Sequence, residues 1–159
     1  MKKLKLFGLL SLLSILFMGC PYTSEVAIDN PSVKIEPKML GQWESKNSET
    51  DKYSVTKADD YTYNIEKKSS SSITHYKAYE SVLNGTKFLN LWEDSASTKT
   101  FYLYKYELSG SGAKITLKGI TDNITEKFTS SADLKKFILA NMGLSFFYDK
   151  EDEVYIRAD

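Results

Sequence analysis

The sequence predicts an all-β protein, an antiparallel barrel of about eight or nine strands with one C-terminal α-helix before the last strand. Three observations point there. Short stretches of alternating apolar and polar residues recur from residue 40 to residue 128, separated by turn signals, a spacing typical of barrels and sandwiches. Tyr, at 11 residues, and Thr are abundant, and both favour strands over helices. The period then switches once, late in the chain, to a helical stripe over residues 130–143.

The elements follow in order. Leu40-Gly41-Gln42-Trp43-Glu44-Ser45 opens the domain as its first strand. Tyr53 and Val55, then Tyr61, Tyr63 and Ile65, share one face of a hairpin that turns at Ala58-Asp59-Asp60. Lys67 to Ser72 is a polar loop, and Ile73 to Leu83 alternates again, with Tyr76, Ala78 and Val82 in register. Asn84-Gly85 is the strongest hairpin signal in the chain, because a type I′ turn needs positive φ at both central residues. Phe88 to Trp92 leaves that turn as a near-continuous apolar strand, and Glu93 to Lys99 is a loop. In Phe101 to Leu108 the aromatics alternate, Tyr102, Tyr104 and Tyr106 against Phe101 and Leu103. Ser109 to Gly112 is a turn, Ile115 and Leu117 mark the next strand, and residues 119–128 give one more short strand. Leu134, Phe137, Ile138 and Met142 then form a helical stripe. Ser130 or Ser131 caps its start and Gly143 suits its end. A last strand runs over 145–148 and 154–157, with a charged turn in its middle.

Ahead of this domain stands a leader. Met1-Lys2-Lys3-Leu4-Lys5 is a basic head, Leu6 to Met18 is apolar, and Gly19-Cys20 closes the run. These are the parts of a secretory signal, expected over residues 1–19, and the run is shorter than the ~20 apolar residues a bilayer span needs. Cys20 is the single cysteine of the chain, so it has no internal disulfide partner. Leu16-Phe17-Met18-Gly19-Cys20 resembles a bacterial lipobox, in which the cysteine is acylated and becomes the new N-terminus; Phe17 departs from the usual leucine. The resemblance implies a lipid anchor at Cys20, and Pro21 in the next position, where Asp would signal inner-membrane retention, favours the outer membrane. Which face of that membrane stays open. Residues 20–38 hold Pro21, Pro31 and Pro37 and no sustained period, so they are expected to form an extended tether before a barrel domain over 39–159.

Gly41-Gln42-Trp43 at the first strand, and a late helix followed by a returning strand, resemble the lipocalins and the small lipocalin-like lipoproteins of Bacteroidota. The resemblance implies a barrel closed at one end by Trp43. Its second signature is absent, with Thr121-Asp122-Asn123 only a partial echo. Lipocalins pack an arginine on the signature indole; Arg157, the only arginine here, either stacks on Trp43 as a cation–π pair or ends the chain exposed.

Charge and chemistry narrow the function. Without Lys2, Lys3 and Lys5 the chain carries 18 basic against 21 acidic side chains, which is no nucleic-acid footprint. His75 is the only histidine, no nucleophile-elbow motif occurs, and no Cys/His cluster suits zinc. Asp59-Asp60 and Glu151-Asp152-Glu153 lack calcium-loop spacing and read as solvated turns. No enzyme, metal or cofactor is expected. A barrel of about eight strands can enclose one small ligand, and Tyr53, Tyr61, Tyr63, Tyr76, Phe88, Trp92, Tyr102 and Tyr104 are its candidate lining, suited to an apolar or amphipathic guest. Packing alone leaves a hollow and a filled barrel equally open. A filled one points instead to docking on an outer-membrane complex or to an inhibitor, with Phe101–Leu108 as an exposed adhesive strand. Asp94-Ser95-Ala96 resembles the O-glycosylation site of exported Bacteroidota proteins, which makes Ser95 a candidate for modification; a plain polar loop is the other reading.

Overall fold

A computed structural model describes residues 21–158; the leader and Cys20 lie outside the described residues. Nine antiparallel strands form one sheet: β1 (Thr23–Ser24), β2 (Gly41–Ser45), β3 (Lys52–Lys57), β4 (Thr62–Lys68), β5 (Ile73–Leu83), β6 (Thr86–Glu93), β7 (Phe101–Leu108), β8 (Lys114–Gly119) and β9 (Glu153–Arg157). Strands β2 to β8 pair in sequence order except that β9 stands between β2 and β8, and β8 also pairs with β7, which closes an eight-stranded barrel. The extra strand β1 pairs with the first two residues of β7, Ser24 opposite Phe101 and Thr23 opposite Tyr102. Strand β8 pairs with β7 only from Tyr104 onward, so β1 fills the part of the seam that β8 leaves bare.

The hairpin turns sort the barrel into two ends. The β2–β3, β4–β5 and β6–β7 turns lie at one end, and the β3–β4, β5–β6 and β7–β8 turns at the other. Asn84 and Gly85 make the β5–β6 turn with φ of 48° and 79°, the left-handed pair that a type I′ turn requires.

Period-2 alternation builds two cores. Met39, Trp43, Val55, Tyr63, Ala78, Leu89, Tyr104, Tyr106 and Ile115 fill or line the interior. Tyr79, Leu83, Phe88, Phe101 and Leu103 point outward and are covered by the helix and the N-terminal segment. The helix α1 (Ser131–Asn141) starts at Ser130, whose hydroxyl accepts the Asp133 N–H, and buries Leu134 and Ile138 against this outer face. Phe101–Leu108 is therefore not an exposed adhesive strand: Phe101 and Leu103 are buried beneath this second layer.

Three local expectations are corrected. Residues 121–128 form no strand; Ile120 makes only a single bridge to Tyr148. Residues 145–147 wind into a short 3₁₀ turn, so the last strand is β9 alone. The proline-bounded segment is not a free spacer over residues 21–38. Tyr22, Ala27 and Ile28 are buried, the Ile28 N–H donates to Asn90 Oδ1 at 2.9 Å, and Tyr79 Oη–H donates to the Asp29 carbonyl at 2.5 Å. Farther along, the Ile35 N–H donates to the Asp60 carbonyl at 3.0 Å. The segment is a strap that runs down the barrel wall from β1 to a 3₁₀ turn at Pro37–Met39.

Candidate functional site: a floored, tyrosine-rich cavity

One end of the barrel is sealed. Trp43 is 1% exposed, and its indole N–H donates to the Met39 carbonyl at 2.9 Å. The Arg157 guanidinium carbon sits 4.5 Å from the Trp43 ring centre, a cation–π stack. The two residues face each other across β2 and β9. The guanidinium also donates to three carbonyls: Nε to Gly112 and Nη1 to Leu40, both at 2.9 Å, and Nη2 to Lys38. Gly41 has φ of +129°, and a Cβ there would stand 2.5 Å from Arg157 Nη1. Glycine is thus required twice, by its backbone angle and by the arginine that occupies its side-chain space. Gly41, Trp43 and Arg157 form one floor.

Beside the floor lies a buried carboxylate that the sequence reading did not single out. Glu80 is 1% exposed. It accepts the Tyr63 hydroxyl at 2.6 Å and lies 3.7 Å from Lys87 Nζ, and the Tyr63 oxygen in turn accepts the Glu36 N–H at 2.6 Å. Burial, then the Glu80 carboxylate, drives the Tyr63 hydroxyl far above its ordinary range.

Above the floor the barrel is hollow. A cavity of about 350 Å³ is lined by apolar side chains, among them Val55, Ile65, Leu89, Leu91, Ile115 and Leu117, and by Tyr53, Tyr76, Tyr102, Tyr104 and Tyr155. Its volume is at the lower end of the range for small-molecule sites, roughly 300–1,000 Å³. Burial raises the Tyr104 and Tyr155 hydroxyls well beyond ordinary phenols, with Glu153 adding to both, so they remain neutral donors. Two charged groups join the lining, Lys67 and Glu153. Lys67 pairs with Asp51 at 2.8 Å, which raises its pKa, and Glu153 accepts the Tyr155 hydroxyl at 2.5 Å. The cavity is apolar in its walls, with hydroxyls and opposite charges among its lining.

The eight candidate lining residues divide. Tyr53, Tyr76, Tyr102 and Tyr104 line the cavity. Tyr63 points inward but is committed to Glu80. Phe88 and Trp92 face out and pack in the second layer, where Trp92 stacks edge-on with Tyr79 and Phe101 and Lys99 Nζ lies 3.8 Å from its ring centre. Tyr61 sits in the β3–β4 turn, 39% exposed. The sequence reading missed Leu89, Leu91 and Tyr155, all lining residues. Continuing the inward parity of Tyr53 and Tyr102 into β6 and β9 is the signal that finds them.

Elsewhere, His75 is exposed on the barrel wall, with its carbonyl taken by the Asp94 N–H. Ser95 is exposed in the β6–β7 loop and donates to Glu93 Oε1 at 2.8 Å. Among the described residues there is no group of three or more His, Cys, Asp or Glu placed to hold a metal ion, and no helix long and apolar enough to cross a membrane. Comparisons of the chain with protein-family models, with curated proteins and with solved structures each returned no match.

Proposed function

We propose that this is a bacterial outer-membrane lipoprotein, anchored through acylated Cys20, whose lipocalin-like barrel binds a small apolar or amphipathic molecule. The observation that carries the binding role is the cavity of about 350 Å³, floored by Trp43 and walled by aliphatic and tyrosine side chains. A filled barrel would leave only its outer surface for a docking role; the hollow interior favours the ligand. Val55, Ile65, Leu89 and Leu91 suit an apolar body, while the Tyr53, Tyr76 and Tyr102 hydroxyls with Lys67 and Glu153 offer donors and an acceptor to a polar group. We propose binding rather than catalysis, with the charged lining groups held in pairs, Lys67 with Asp51 and Glu153 with Tyr155. The anchor rests on the leader and the lipobox-like residues before Cys20. Ser95 is accessible to a glycosylating enzyme, consistent with an exported protein.

The test is direct. Protein purified from its source should carry a small molecule in native mass spectrometry, and the emptied protein should take up the fluorescent probe N-phenyl-1-naphthylamine. Leu91→Trp, which narrows the cavity, should weaken uptake about tenfold, worth ~1.4 kcal/mol. An empty native protein that ignores the probe, with Leu91→Trp indistinguishable from it, would refute the binding role.

A further inference from the structure

We propose that the barrel rests mouth-down on the membrane, with the open end of its cavity held against the lipid surface by its own N-terminus, so that its ligand is drawn from the bilayer. This deepens the proposed function and rests on the anchor at Cys20.

Pro21 itself lines the cavity. Tyr22, the next residue, is already pinned: it is 4% exposed, its N–H donates to the Ile120 carbonyl at 3.0 Å, and its hydroxyl donates to the Glu126 carbonyl at 2.9 Å. Thr23 and Ser24 then pair with β7 at the strand's mouth end. One residue therefore separates the anchor position from the fixed wall, and that residue is a proline with restricted φ. Each residue spans at most ~3.6 Å, so the lipid is attached within one or two short steps of the rim. The floor lies at the other end of strands such as β7, eight residues long, about 25 Å away at ~3.3 Å per residue before tilt. With the strap packed along the wall, no stalk is left to turn the floor towards the bilayer.

The rim agrees with this placement. Phe146 and Ile73 are the two most exposed large hydrophobic side chains of the described residues, at 74% and 55%. Ile73 opens β5 directly after the β4–β5 turn, at the mouth. Phe146 precedes Phe147, whose carbonyl accepts the Thr121 N–H just past the mouth end of β8, and Leu144 beside it is 40% exposed. Val82 and Tyr61 are exposed at the floor end to a lesser degree, 42% and 39%, so it is the two most exposed side chains, both placed at the mouth, that suit burial at the headgroup boundary. A mouth pressed to lipid excludes bulk water from the cavity entrance, and the molecules within reach are membrane amphiphiles.

The experiment uses the full chain matured in its own cell and reconstituted into phosphatidylethanolamine–phosphatidylglycerol vesicles. Ile73→Cys and Phe146→Cys mark the mouth, and Ser111→Cys, in the β7–β8 turn, marks the floor end. Each carries a thiol-reactive fluorophore, quenched by spin-labelled lipid. The mouth labels should be quenched at least about threefold more than the floor label. Inserting about twelve Gly and Ser residues between Cys20 and Pro21 restores a flexible stalk and should bring the mouth labels close to the floor value, with the circular dichroism spectrum unchanged. Anchored protein whose mouth and floor labels quench alike overturns the orientation and leaves the anchor standing. An unacylated Cys20 in the mass spectrum of the N-terminal peptide, with the protein recovered in the aqueous fraction, overturns the anchor and the orientation together.

Discussion

The two ends of this barrel are built from the same strands and by opposite means. At the floor, most strong polar groups have a fixed partner: the Trp43 N–H has the Met39 carbonyl, Arg157 has three carbonyls and an indole face, and Glu80 has Tyr63, while the buried Tyr106 hydroxyl is left without one. At the mouth, Tyr53, Tyr76, Tyr102 and Tyr155 stay half-buried around empty space, and Lys67 and Glu153 lie among them. Satisfied groups packed without voids give rigidity. Groups held half-buried around a void give a surface that a guest can complete. This contrast predicts that substitutions at the floor cost more stability than substitutions at the mouth.

The sharpest way to break this contrast is Trp43→Ala. Removing a fully buried indole should cost about 3–5 kcal/mol, seen as a large fall in the urea midpoint, whereas Tyr76→Ala at the half-buried mouth should cost less than half of that. Equal losses would mean that the ends are not mechanically distinct. Next is Arg157→Ala, expected to cost about 2 kcal/mol through the lost charged hydrogen bonds and cation–π stack. Arg157→Lys should recover less than half of this, because a lysine cannot serve three carbonyls with a planar fork; full recovery would reduce the arginine to a plain charge.

The smallest effect lies near the mouth and depends on pH. Asp149, whose N–H donates to the carbonyl of Gly119 at the end of β8, has its carboxyl pushed up to about 6 by burial, then by Asp122 and Glu153. The folded protein holds this proton more tightly than the unfolded chain, so stability falls as pH rises from about 4 through about 6. Asp149→Asn should therefore stabilise the protein at pH 8 by about 1 kcal/mol after allowance for solvent screening, and change nothing at pH 3. Thermal melts of both proteins across that range read it out, and an equal gain at both pH values would remove the electrostatic cause.

Much of the floor was legible in the sequence. Gly41 and Trp43 announce themselves as a pair at the start of the domain, and the late helix by its single change of period. The seat of Arg157 was not decided, because it depends on β9 returning beside β2, a pairing between the two ends of the domain that no local pattern encodes. The cavity lining was half legible. In β7 the tyrosines and the Phe101–Leu103 pair differ in kind, so the inward face is readable. In β6 both faces are mainly apolar, Asn90 on the outer one excepted, since one meets the cavity and the other meets α1 and the strap. Period 2 carries no direction there, so it does not separate Phe88 and Trp92 from the lining pair Leu89 and Leu91. Glu80, a lone carboxylate amid buried residues, needs a partner, and no local pattern names Tyr63, which lies on the neighbouring strand, as that partner. In residues 21–38 three prolines favour an extended tether, while Tyr22, Ala27 and Ile28 are apolar side chains that the fold buries.

The strap has a practical consequence for anyone producing this protein. An expression clone that begins at Leu40, on the view that everything earlier is a dispensable tail, deletes Ile28 and the Asp29 acceptor from the outer layer and Met39 from beneath the indole. What looks like trimming removes a wall and part of a foundation, and a soluble version should keep every residue from Pro21 onward.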